Sequence, residues 1–166
     1  PLRCLFTKFD LDHGRHFIIM QQELLKNIIG KRMTEASQKT EQQTTMYHWI
    51  GGEEGVRKLV NRFYDIMDSD DEAKVIRAMH KEDLSDIRQG LFEYLSGWLG
   101  GPPLFVAKHG SPCITKQHQP YKIDQKASDA WMHCMKKAMQ DVGIDAKYRD
   151  MLTPAFQRIC DTLLNH

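Results

Sequence analysis

The chain has 166 residues, 41% of them hydrophobic, which is one domain's worth with enough apolar material for a core. Twenty-three basic residues against 22 acidic leave a formal charge of +1, too even a balance to gather nucleic acid or an anionic membrane. The longest apolar run near the N-terminus, Phe17-Ile18-Ile19-Met20, is too short for a signal core or a membrane span, so Cys4, Cys113, Cys134 and Cys160 read as reduced thiols of a cytoplasmic protein.

In chain order, residues 1–46 read as an N-terminal extension. Within it, 17–32 has the spacing of one amphipathic helix, with Phe17, Met20, Leu24, Ile28 and Lys31 on a face. Residues 33–46 are polar and read as a flexible linker, and Met33 offers an alternative start. The second domain is expected over 47–166. Its first helix carries Val56, Leu59, Val60, Phe63 and Met67, after Gly51-Gly52 and the acidic pair Glu53-Glu54 that suits a helix N-terminus. A second is marked by Leu84, Ile87, Leu91, Leu95 and Trp98, and Gly100-Gly101-Pro102 ends it. Ala127, Trp131, Cys134, Met135, Ala138 and Val142 mark a third. Tyr148, Leu152, Ala155, Phe156, Ile159 and Leu163 mark a fourth, which Pro154 is expected to kink or divide. The class is all-α, with one long stretch, 100–123, that lacks strong periodicity and calls for something besides packing to order it.

Of the eight histidines (13, 16, 48, 80, 109, 118, 133 and 166), His118 stands in that stretch, just before the helix of Trp131. A zinc site from His109, Cys113, His118 and Cys134 has suitable ligands, but their spacing fits no compact knuckle and there is no CxxC. A thiol enzyme using Cys113 or Cys134 has no supporting pattern. Gly51-Gly52 lacks a P-loop lysine and the dinucleotide-binding spacing. Tyr64 borders the first apolar face and Trp131 lies centrally on the third. Each has a polar tip that seeks a partner when buried, and ordinary core aromatics with satisfied tips would look the same.

Read in order, the landmarks of 47–166 resemble the group II truncated haemoglobins, the two-on-two helical globins. They are Gly51-Gly52, Phe63-Tyr64, Trp98-Leu99-Gly100-Gly101-Pro102, Gly110 and Pro112, His118-Gln119-Pro120-Tyr121-Lys122-Ile123, then Ala130-Trp131 with Cys134-Met135. The resemblance implies a sandwich of two helix pairs around haem b, with a short helical segment near 47–52 and a long, little-helical connection over 100–123. It implies His118 as the proximal ligand of the haem iron. Tyr64, His80 and Trp131 match the polar positions of the distal pocket, and Ile87 and Leu91 match the second-helix positions on that side. Phe63, Tyr121 and Ile123 match further haem-pocket positions. The family's basic run before the proximal histidine is here Gly110-Ser111-Pro112-Cys113-Ile114-Thr115-Lys116-Gln117, so Lys116 is the best cation for the haem propionates, with Lys108 and Lys122 in reserve. Phe105 stands where the family often has tyrosine, and His80 where it varies among tyrosine, phenylalanine and histidine.

What the resemblance implies about function is a haem protein, monomeric or homodimeric, that binds dioxygen and other diatomic ligands in the manner of an oxygen carrier. Its alternative is an enzyme that oxidises nitric oxide to nitrate or consumes peroxide, which needs an external electron donor. A haem-free interaction module that uses residues 1–46 is the third reading. Neither nucleic acid nor membrane is an expected partner.

Overall fold

The structure, a computed structural model, describes residues 45–110 and 113–165. All of them fall in the second of two units into which the chain divides, Gln42–His166. The helix expected over 17–32, Met33 and most of the expected linker lie outside the described residues. The described residues are helical without strands. In order they form α1 (Met46–Trp49), α2 (Gly52–Ser69), a 3-10 turn (Asp71–Ala73), α3 (Lys74–Arg77), α4 (Ser85–Trp98), α5 (Leu104–His109), α6 (Ile114–His118), α7 (Gln125–Asp141) and α8 (Ala146–Leu163).

Each long helix forms where an apolar stripe meets good end chemistry. Glu53 and Glu54 occupy the first turn of α2 and pair one turn on with Arg57 and Lys58, at 2.9 and 2.7 Å. Asp124 and Asp145 cap α7 and α8, their carboxylates accepting from the backbone N–H of Ala127 and Lys147, each at 3.0 Å. Gly100 ends α4 at φ 87°, a left-handed value that a side chain resists. The buried stripes of α2, α4, α7 and α8 then meet: α2 packs on α7 and α4, and α7 on α8, around Phe63, Phe92, Met135 and Phe156.

Two expectations change. Pro154 does not divide the last helix: α8 runs through it from Ala146 to Leu163. One lost backbone hydrogen bond is outweighed by the buried face of Leu152, Phe156 and Cys160. The stretch 100–123 is also less irregular than its sequence suggests, since it contains α5 and α6. Neither buries a residue, so neither imposes an apolar period that could be read.

The start of the domain is closed by a tight contact. A Cβ placed on Gly55 would lie 1.8 Å from the carbonyl oxygen of Ile50, at the end of α1. Both groups are backbone and cannot turn aside. Gly55→Ala is therefore expected to lower stability by about 3 kcal/mol, the upper end of ordinary overpacking. That is roughly 10 °C in Tm by thermal unfolding for a domain of this size. An unchanged Tm would show that α1 is not seated on α2.

Candidate functional site

Tyr64 is buried late in α2, one residue past Phe63, whose ring it meets edge-on at 5.0 Å. Its hydroxyl donates to the Ile87 carbonyl at 3.5 Å, too long to hold it firmly. Burial pushes the hydroxyl well above its ordinary pKa, against a weaker opposing pull from Arg88, so it stays a protonated donor. The Arg88 guanidinium lies 5.5 Å from the Tyr64 ring and ties α4 to α2 through Asp65 at 2.7 Å and the Asn61 carbonyl at 2.8 Å.

His80 follows α3, and its ring lies edge-on to Tyr64 at 6.1 Å. Its Nδ1 is 2.8 Å from the carbonyl of Ile76. A carbonyl only accepts, so Nδ1 carries the proton and Nε2 of the neutral ring presents a lone pair. Arg77 secures this segment by donating to Asp68 at 2.7 Å and to the Lys81 carbonyl at 3.0 Å.

Trp131, half-buried on α7, rests tilted against Phe63 at 5.2 Å and against Phe156 at 5.6 Å. Among the described residues its indole N–H has no acceptor. Ile87 remains 43% exposed, and Leu91, one turn on, lies against the core.

His118 is the last residue of α6. Its Nδ1 lies 2.8 Å from the Ile114 carbonyl, so it too is protonated there and presents an unprotonated Nε2. Tyr121, 47% exposed, donates its backbone N–H to the His118 carbonyl at 3.0 Å. Asn165 clamps the next stretch: it accepts from the Ile123 N–H at 2.9 Å and donates to the Tyr121 carbonyl at 3.0 Å. Lys116 is exposed and borders a groove with Gln119 and Thr162. Lys108, expected in reserve for the propionates, is already engaged with the buried Glu93 at 3.1 Å.

The structure thus brings Phe63, Tyr64, His80, Ile87 and Trp131 together, and separately His118, Tyr121 and Ile123. No hydrogen bond or ring contact joins the two groups among the described residues. The alternative zinc set is not assembled: Cys134 is fully buried in the core while Cys113 is exposed, and no three His, Cys, Asp or Glu side chains among the described residues are placed to share a metal.

Two supports had no sequence signal. Asp70 accepts from Lys137 at 2.7 Å, His133 at 3.1 Å and the Glu72 N–H at 3.1 Å, and these bonds, Lys137's foremost, hold its carboxyl well below the usual carboxylate range. It fastens the turn before His80 to α7. His133 reads as surface in the sequence, and Asp70 lies 63 residues away. Asn165 is the second.

The residues fit a haem. Among the described residues, an imidazole lone pair without a partner suits its iron, apolar side chains left open suit its faces, and an indole donor without an acceptor suits a ligand on it. A helical sandwich with this pairing of α2 with α4 and α7 with α8, and with such a histidine on a short helix, defines a truncated globin of the two-on-two type. The chain belongs to the bacterial-like globin family, whose profile matches residues 45–165. It is similar to the cold-adapted truncated haemoglobin of the Antarctic bacterium Pseudoalteromonas haloplanktis, at 46% identity over 74% of this chain and 99% of that one, with a TM-score of 0.72. It is similar to the group II two-on-two haemoglobin of Agrobacterium tumefaciens, at 38% identity over 74% and 95% of the two chains and a TM-score of 0.71. A third solved relative, the truncated oxygen-avid haemoglobin of Bacillus subtilis, is 31% identical over 74% and 100%, with a TM-score of 0.68. Globins of this family bind haem b and, through its iron, diatomic ligands. No helix among the described residues is long and apolar enough to cross a membrane.

Proposed function

We propose that this chain binds haem b, which Nε2 of His118 would hold by its iron, and binds dioxygen with Tyr64, His80 and Trp131 as the residues that would face the gas. The iron supplies the reversible bond to the gas. The residues decide how long it stays. Dioxygen held there carries partial negative charge, which attracts proton donors. Trp131 is an obligate donor, because an indole has no acceptor. Tyr64 can leave its long bond to Ile87 for a better one. Neutral His80 commits its proton to the Ile76 carbonyl and brings none to the gas. It donates to the gas only when protonated.

Phe63, Ile87, Leu91, Tyr121 and Ile123 would supply the apolar walls, and Lys116 would be the cation for a propionate. The observation that carries the reading is a tethered imidazole whose Nε2, and an indole whose N–H, have no partner among the described residues. The oxygen avidity named for the Bacillus subtilis relative supports the choice of dioxygen.

The test is the absorption spectrum of haem-loaded protein, reduced and then exposed to air. A stable oxygenated spectrum is expected. No Soret band after haem addition, or immediate oxidation in air, would overturn the proposal.

A further inference from the structure

We propose that the ring chain Trp131–Phe156–Trp98 carries oxidising equivalents out of the haem pocket, so that hydrogen peroxide drives the oxidation of small phenols at Trp98. The inference rests on the haem reading above. Trp131 meets Phe156 at 5.6 Å, and Phe156 stacks on Trp98 at 4.9 Å with 24° between the planes. Phe156 is fully buried, so no water interrupts the path. On the inner side the chain continues through Phe63, 5.2 Å from Trp131, to Tyr64. The outer end differs in kind. Trp98 is half-buried and lines a cavity of about 370 Å³ with Ile114, Arg158 and Ile159, large enough for a single aromatic ring.

Indole is among the most easily oxidised side chains, and rings in contact pass electrons readily. Phenylalanine is hard to oxidise, so Phe156 acts as a bridge and the charge rests on the indoles. The stoichiometry closes. Peroxide, meeting the haem, takes two electrons and two protons as its O–O bond breaks, and yields two waters. Each electron leaves Trp98 through Phe156 and Trp131, and the oxidised indole releases its N–H proton into the cavity. A phenol then returns one electron and one proton to Trp98. Two phenols become two phenoxyl radicals for each peroxide.

The rest of the molecule supplies an internal control. Trp49 is stacked on Tyr148 at 5.4 Å and is 44% exposed, but has no ring contact with this chain. Oxidation from free solution should reach Trp49 first, whereas oxidation from the pocket should reach Trp98.

The experiment uses the full, haem-loaded chain, equimolar hydrogen peroxide and no phenol, with tryptophan oxygenation read by peptide mass spectrometry. Trp98 is expected to be oxygenated several-fold more than Trp49. Phe156→Leu should lower the Trp98 yield several-fold and leave Trp49 unchanged. Because Phe156 is a core residue, Trp98→Phe is the second variant: it should slow peroxide-dependent phenol oxidation several-fold while dioxygen release keeps its rate. Equal oxygenation of Trp49 and Trp98, or unimpaired phenol oxidation in Trp98→Phe, would overturn the route and leave haem binding intact. Absence of a Soret band before peroxide is added would overturn both.

Discussion

Replacing His118 by alanine should cost haem affinity more than about 100-fold, beyond the loss that follows removal of a mere orienting partner. Free imidazole should then restore the spectrum of the ferrous protein. The geometry separates this effect from unfolding. α6 buries none of its residues, and the His118 ring spends its one protein hydrogen bond on a carbonyl of the same turn. Apoprotein stability should therefore change by less than about 0.5 kcal/mol, as for other surface substitutions. Haem titration followed by absorbance, beside thermal unfolding of the apoprotein, reads both quantities. An unaltered affinity with an unaltered ferrous spectrum would remove His118 from the iron.

Trp131→Phe should speed dioxygen release roughly fivefold, the equivalent of one hydrogen bond of about 1 kcal/mol. Phenylalanine keeps a ring against Phe63 and Phe156 while removing the N–H together with part of the indole's bulk. Combined with Tyr64→Phe, two independent bonds of that size would give roughly 25-fold. A smaller product would mean that the two donors serve one acceptor in turn. Stopped-flow displacement of dioxygen measures the rates. If the Trp131→Phe rate matches the parent, the indole is not a donor to the gas.

Much of this architecture is legible in the sequence, for a physical reason. α2, α7 and α8 bury faces at helical spacing, which leave a periodic trace, whereas α4 buries only its second half, at Phe92, Glu93, Leu95 and Ser96, and leaves Ile87 open. α5 and α6 bury nothing and leave no trace, which is why 100–123 reads as irregular. The site divides in the same way. Tyr64, His80, Trp131 and His118 come from a resemblance carried by ordered motifs, and the structure groups the first three. What holds them does not show: Asp70 with His133 and Lys137, and Asn165 with Tyr121 and Ile123, are pairs far apart in the chain, with no local spacing to mark them. Nor does residue identity foretell that Lys108 is taken up by Glu93. The proton position on each histidine ring is likewise a matter of geometry.

That proton position has a consequence for how the holoprotein assembles. The Nδ1–H of His118 and its acceptor belong to one helical turn, so the ring is aimed by the backbone of 114–118 alone. Its rotational freedom is already gone before the cofactor arrives, which lowers the entropic cost of capture and leaves less to rearrange. The side chain of Ile114 matters little to that aim, whereas its carbonyl matters a great deal. Glycine or proline at 115 or 117 would touch no haem atom and still loosen the grip, because unwinding the turn sets the ring free. Sensitivity of haem retention along this stretch should therefore follow helix propensity rather than distance from the iron.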